Sequence, residues 1–219
     1  MLVKICCIQS EGEARQALAA GANAIGLVAE MPTSTGVIGD SLIREIVAAL
    51  EPEVCSFLLT SRTDPEAIVA HQQATGVRTL QLVDRVSAEA RGAVRRHLPH
   101  VSLVQVVHVV DQNSVEEARC AEEGADALLL DSGAPDAQER TLGGTGATHD
   151  WSLSREIVRG AGCPVWLAGG LRPDNVAEAI RQVRPSGVDV CSGLRPRRAL
   201  DEGLLGSFVA AVAAEAPLA

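Results

Sequence analysis

Glu13-Ala14-Arg15-Gln16-Ala17-Leu18, followed closely by Gly21-Ala22-Asn23-Ala24-Ile25-Gly26, reads as a helix that passes through a glycine turn into an apolar strand. The unit returns later in the chain: Glu117-Ala118-Arg119 leads to Gly124-Ala125-Asp126-Ala127. Outward from these two copies the alternation continues. Short apolar runs, often β-branched and bounded by Gly, Pro or polar residues, lie near 2–8, 24–29, 54–59, 78–82, 101–110, 126–130, 164–168 and 187–191. Such runs read as parallel strands buried on both faces. Helical patterns separate them, at Glu13–Leu18, Asp40–Leu50, Pro65–Ala74, Ser87–His97, Ser114–Glu123, Trp151–Arg159, Asn175–Val183 and Glu202–Ala214. Strict alternation predicts a parallel sheet. Eight units in 219 residues favour a closed (β/α)8 barrel, the TIM-barrel architecture, over an open doubly wound sheet. The repeated units are then the first and fifth helices, half a barrel apart. Residues 1–219 read as one domain without a linker.

Composition narrows the function. With 47% hydrophobic and 21% charged residues the chain is globular. A net charge of −9 without a Lys/Arg run speaks against nucleic acid and anionic membranes as partners. It leaves a small phosphate ligand open, because backbone amides bind one locally. Aromatic residues make up 2%, so base stacking and aromatic cages are unexpected. The run Met1–Ile5 is too short for a signal or a membrane span, and a reducing cytoplasm is the expected compartment. The six cysteines, Cys6, Cys7, Cys55, Cys120, Cys163 and Cys191, are therefore expected to be free thiols. The five histidines show no metal-ligand spacing, and neither a Rossmann nor a P-loop fingerprint is present, so no metal or cofactor is expected.

In a barrel of this kind, reactive groups sit at the C-terminal strand ends and in the loops that follow. Cys6 lies in the apolar stretch Lys4-Ile5-Cys6-Cys7; strand alternation predicts that only one of Cys6 and Cys7 points inward. Asp131 follows Ala127-Leu128-Leu129-Leu130, where a carboxylate is costly unless paired or useful. Together the thiol and the carboxylate make an acid–base couple that needs no metal. A second cluster is glycine-rich: Gly143-Gly144-Thr145-Gly146 after strand six, Gly169-Gly170 after strand seven, Ser192-Gly193 after strand eight. Glycine lets backbone amides approach a phosphate closely, and the loops after strands seven and eight are the phosphate position of these barrels, so Gly146, Gly169, Gly170, Ser192 and Gly193 are the expected phosphate-binding residues. The longest irregular stretch, Ser132 to Asp150, follows strand six and is expected to be functional.

These motifs resemble a known family. Lys4-Ile5-Cys6, Gly21 to Gly26, Leu128-Leu129-Leu130-Asp131-Ser132, Gly143 to Gly146 with Asp150-Trp151, Ala168-Gly169-Gly170-Leu171 with Pro173-Asp174-Asn175-Val176, and Val188-Asp189-Val190 with Ser192-Gly193 are similar, in order and spacing, to phosphoribosylanthranilate isomerase. The resemblance implies the Amadori rearrangement of tryptophan biosynthesis, on a small phosphorylated sugar substrate and without a cofactor, by a monomer or homodimer. It implies Cys6 as general base and Asp131 as general acid, which requires an ionised thiol and a protonated carboxyl. The sequence departs from the family at the aromatic-amine side. Cys7 replaces a glycine. The strand-two loop, Met31 to Val37 and including Gly36, lacks the family's arginine. Gln81-Leu82-Val83-Asp84 lacks the family's histidine after strand four, and Arg195 replaces an acidic residue. Cys7, Gly36, Gln81, Val83 and Arg195 are thus the expected lining of an altered pocket. A different phosphoribosylamine as substrate, or a barrel that only binds a sugar phosphate, are the alternatives.

Overall fold

A computed structural model describes residues 1–31, 35–133 and 148–215. Eight strands alternate with eight helices. The first half runs β1 (Leu2–Ile5), α1 (Glu11–Ala19), β2 (Ala24–Val28), α2 (Asp40–Ala48), β3 (Cys55–Thr60), α3 (Pro65–Thr75), β4 (Thr79–Leu82) and α4 (Ala88–His97). The second half runs β5 (Ser102–His108), α5 (Asn113–Glu122), β6 (Ala127–Asp131), α6 (Trp151–Gly160), β7 (Val165–Leu167), α7 (Val176–Val183), β8 (Gly187–Val190) and α8 (Glu202–Ala213). A short 3-10 turn, Ser192–Leu194, separates β8 from α8 and was not foreseen from the sequence. All strand pairs are parallel, and β1 closes on β8 with Lys4 opposite Asp189.

Local chemistry explains where the helices start. Ser10, Asp64, Ser87, Asp150 and Asp201 each accept a backbone N–H of the first helical turn. Pro65 supplies a preset φ at the first position of α3. Gly76, in the left-handed conformation, ends the same helix.

The alternation of side chains along each strand divides the core in two. Val3 and Ile5, Leu80 and Leu82, Leu128 and Leu130, and Val188 and Val190 face the helices. The intervening positions fill the barrel, among them Cys6, Val28, Phe57, Leu59, Val83, Val104, Val106, Leu129, Trp166 and Ala168. By this phase Lys4, Gln81, Asp131 and Asp189 project inward among apolar side chains. Phe57 and Trp166 meet edge to face at 5.6 Å and close the floor.

Two expectations about cysteine need correction. Cys7 and Cys191 form a disulfide, with Cα atoms 5.9 Å apart and 184 residues between them in sequence. The barrel closure of β1 on β8 brings the two strand ends side by side, and sequence spacing does not reveal that contact. The alternation also does not extend through Cys7. Its φ of 61° is left-handed, so the chain turns at this residue and both Cys6 and Cys7 join the inner cluster. Among the described residues no helix is long and apolar enough to cross a membrane.

Candidate active site

The C-terminal ends of the strands enclose a cavity. Cys6, Cys7, Gln81, Val83, Asp131, Gly169, Gly170, Asp189, Cys191 and Ser192 line it, with Met31 and Thr35 on the β2 side. Five strand ends thereby place the proposed thiol, the proposed carboxyl and the glycine loops around one space. A larger cleft of about 490 Å³ lies on the flank, lined by residues of α4, β5 and α5. Its arginines are engaged: Arg91 donates to the carbonyls of Glu123 and Cys120, and Arg85 pairs with Glu117 at 2.8 Å. The strand-end cavity is where the chemistry of this architecture is placed, so it is the candidate active site despite its smaller size.

Cys6 is buried, and burial pushes its thiol up to about 11; the ammonium of Lys4 pulls in the other direction. The resting thiol is therefore protonated near neutral pH. Asp131 ends β6 on the inner face, and one of its oxygens accepts the N–H of Ser132 at 2.7 Å. His149, just before α6, stands near this strand end: a Cβ at Gly169 would lie 3.0 Å from both its Nδ1 and the backbone nitrogen of Ser132. Burial depresses the His149 imidazole while Asp131 and Asp150 oppose that effect. Its Nε2 meets Ser154 Oγ at 2.6 Å, and its Nδ1 is buried without a hydrogen-bond partner among the described residues.

On the neighbouring loop after β7, Gly169 and Gly170 both have positive φ, 83° and 62°, a backbone path that turns successive amides and that side-chain-bearing residues rarely follow. A Cβ at Gly169 would stand 3.0 Å from the backbone nitrogen of Ser132, so the loops after β6 and β7 touch here. Ser192 faces the cavity, but Gly193 does not line it. A Cβ at Gly193 would fall 2.0 Å from the carbonyl oxygen of Leu171, so this glycine lets the loops after β7 and β8 pack backbone to backbone. Gly146 and the rest of Gly143 to Gly146 lie outside the described residues.

Two pocket expectations meet different surroundings. Arg195 is turned away from the cavity: its guanidinium makes two hydrogen bonds to Glu13, at 3.0 and 2.8 Å, and only 6% of the side chain is exposed. An opposite charge on α1 captures it before any ligand can. Gly36 is packed against Cys7 rather than open to the cavity; a Cβ there would sit 2.7 Å from that of Cys7.

Gln81 lines the cavity as expected, but sequence reasoning gave no role to its two partners at the bottom of the cavity, Lys4 and Asp189. Lys4, fully buried, donates to Gln81 Oε1 at 2.9 Å and to Asp189 Oδ2 at 2.7 Å, and its nitrogen lies 5.0 Å from the centre of the Phe57 ring. The other oxygen of Asp189 is buried and has no hydrogen-bond partner among the described residues. The signal available in the sequence was a charged residue at an inward position of two strands that pair in a closed barrel. No group of three or more His, Cys, Asp or Glu suited to a metal occurs among the described residues.

Comparison with known proteins agrees with this arrangement. Residues 3–210 match the family model of N-(5'phosphoribosyl)anthranilate (PRA) isomerase. The N-(5'-phosphoribosyl)anthranilate isomerase 2 of Methanosarcina mazei is 37% identical, over 89% of this chain and 86% of its own. The corresponding protein of Methanocella arvoryzae is 36% identical over 94% of this chain and 95% of its own. Among solved structures, phosphoribosyl anthranilate isomerase of Thermotoga maritima superposes with a TM-score of 0.84 at 29% identity, covering 98% of this chain and 100% of that one. A phosphoribosyl anthranilate isomerase in complex with reduced 1-(o-carboxyphenylamino)-1-deoxyribulose 5-phosphate superposes with a TM-score of 0.81 at 26% identity, covering 98% and 100%. A family match spanning nearly the whole barrel, together with relatives above one-third identity over most of their length, places this chain in the N-(5'-phosphoribosyl)anthranilate isomerase family.

Proposed function

We propose that the protein isomerises N-(5'-phosphoribosyl)anthranilate to the 1-deoxyribulose 5-phosphate, the Amadori step of tryptophan biosynthesis, with Cys6 as base and Asp131 as acid. The observation that carries this reading is the meeting of Cys6, Asp131 and the Gly169-Gly170 and Ser192 loops in one cavity at the strand ends. Protonated Asp131 gives its proton to the furanose ring oxygen. The C1–O bond breaks, and the glycosylamine nitrogen supplies the electron pair that forms the Schiff base. Cys6, protonated at rest, first releases its proton to solvent; the thiolate then removes the proton from C2, and the electrons flow back to nitrogen to give an enolamine. Reprotonation in the tautomerisation yields the keto product. Every atom is conserved, as an isomerisation requires, and general acid–base transfer of this kind contributes about 10²–10⁴-fold in rate.

The phosphate is assigned to the amides around Gly169, Gly170 and Ser192, where positive-φ glycines open the backbone to an anion. The aglycone side is less like the family. Met31 and Thr35 line that edge, and the strand-two loop carries no arginine. This favours, as a second reading, the same rearrangement on a phosphoribosylamine without the anthranilate carboxylate. A missing charged hydrogen bond lowers affinity by roughly ten- to two-hundredfold.

One experiment separates the readings. The purified protein is given phosphoribosylanthranilate generated in situ, and the loss of its fluorescence is followed. Saturable turnover that also rescues a tryptophan auxotroph lacking this isomerase supports the first reading. Folded protein that turns over only a neutral-aglycone substrate supports the second. Absence of turnover with both substrates overturns the proposal.

A further inference from the structure

The acid–base assignment leaves one buried charge without a task. Lys4 is fully enclosed in the barrel, yet a buried ion pair such as Lys4–Asp189 is weak evidence for stability, because desolvation offsets the attraction. Its position suggests chemistry instead. Lys4 and Cys6 are two residues apart on one strand and so share the inner face. Gly26, on the neighbouring β2, shows how closely they stand. A Cβ at that position would lie 2.7 Å from Cys6 Sγ and 3.1 Å from Lys4 Cε. The sulfur and the lysine stem therefore flank the same bare piece of backbone, and any side chain on Gly26 would intrude on both.

We propose that Lys4 is a positioning residue for the isomerisation: its ammonium, held in place by Gln81 and Asp189, is the counter-ion of the Cys6 thiolate, and Gly26 is bare so that the two can meet. The inference rests on the reading of Cys6 as the base. Removing a proton from carbon requires an anionic sulfur inside an apolar barrel, and such an anion needs a fixed positive charge nearby. Lys4 keeps its proton: burial works against the ammonium, but Asp189 and Cys6 together hold it above the ordinary lysine range. Three charged groups act on the thiol from the surrounding strands. Lys4 on β1 favours ionisation, while Asp189 on β8 and Asp131 on β6 oppose it. Asp189 has two effects. It fixes the ammonium through a 2.7 Å bond, and it takes part of the charge that Cys6 would otherwise use.

That double role gives a test with opposite signs. The pH dependence of Cys6 alkylation by iodoacetamide is measured in the intact protein, with peptide mass spectrometry separating Cys6 from Cys55, Cys120 and Cys163. Lys4→Met is expected to move the alkylation midpoint to higher pH and to slow the reaction at pH 8 by at least about tenfold, the smallest effect of a lost neighbouring charge. Asp189→Asn is expected to move the midpoint to lower pH and to speed the reaction. The double variant is expected to fall between them. A purely structural role would loosen the barrel, and both single variants would then alkylate faster at every pH with an unmoved midpoint. An unmoved midpoint in Lys4→Met, or shifts of the same sign in both variants, overturns the proposal. If Lys4→Met does not fold, Asp189→Asn decides alone: a midpoint that stays or rises overturns it. Turnover by Cys6→Ala is measured alongside. Retained turnover would remove the base assignment, while opposite shifts would still establish the Lys4–thiolate pairing.

Discussion

Gly193→Ala is the sharpest perturbation the fold offers. A methyl group at this position would stand 2.0 Å from the Leu171 carbonyl oxygen and 3.1 Å from its carbon. Folded proteins essentially never show a Cβ contact under 3.0 Å, so the loops after β7 and β8 must separate by about 1 Å. Overpacking of this size costs about 1–3 kcal/mol. In a chain of this length that corresponds to a fall in Tm of roughly 2–12 °C. The same displacement would pull Ser192 away from Gly169 and Gly170, which are assigned to one phosphate. A misplacement of about 1 Å can reduce rate by as much as 10²-fold. Differential scanning calorimetry and steady-state kinetics on the same preparation measure both effects, with an expected rise in KM of at least about tenfold. Gly206→Ala is the control. Its Cβ would meet nothing within 4 Å, in the middle of α8. That change should leave kinetics untouched and raise stability by up to about 1 kcal/mol. Unchanged Tm and KM in Gly193→Ala would refute the tight approach of the two loops and the phosphate assignment built on it.

Other consequences follow from the charges and the disulfide. Arg195→Gln should cost about 1.5 kcal/mol at pH 7, the low end for charged hydrogen bonds because Glu13 keeps 18% exposure, and should lower Tm by roughly 3–6 °C without a large effect on KM. Burial pushes the Glu13 carboxyl up, but hydrogen bonds from Arg195 and the Gln9 N–H outweigh it and hold it below its ordinary 4.5. The stabilisation is therefore present above that value and is lost as pH falls through the lowered one; the Tm gap should close below about pH 4.5, and a gap constant with pH contradicts the pairing. A reducing agent should open Cys7–Cys191, which spans 184 residues, at a cost of about 2–5 kcal/mol or roughly 4–20 °C in Tm. Equal melting with and without reductant, or equal melting of Cys7→Ser, would show that the bridge does not form.

The fold was legible because each strand of a closed barrel is buried on both faces. Runs such as Ala127-Leu128-Leu129-Leu130 announce themselves, and the helices between them begin at capping residues such as Ser87 and Asp150. Cys6 and Asp131 were legible as polar groups at the ends of such runs. What the sequence concealed depends on contacts around the barrel circumference. Lys4 looks like an ordinary charge near a chain start; only the pairing of β1 with both β8 and the interior reveals that it meets Asp189, 185 residues away, and Gln81, 77 away. The Cys7–Cys191 bridge was concealed for the same reason. Cys7 itself breaks the period-two rule through one left-handed residue. Arg195 was expected to line the pocket because it follows Ser192-Gly193 in sequence, whereas its neighbour in space is Glu13.

The central claim is that Cys6 and Asp131 act as a couple on one substrate, and turnover of phosphoribosylanthranilate by Cys6→Ala, Asp131→Asn and the double variant tests it most directly. Each single variant should lose at least about a hundredfold in kcat while still melting as a folded protein and still binding reduced 1-(o-carboxyphenylamino)-1-deoxyribulose 5-phosphate. The double variant should be little worse than the weaker single, because two residues that serve one proton path are not additive. Either single variant with kcat within a fewfold of the unmodified protein would contradict the account.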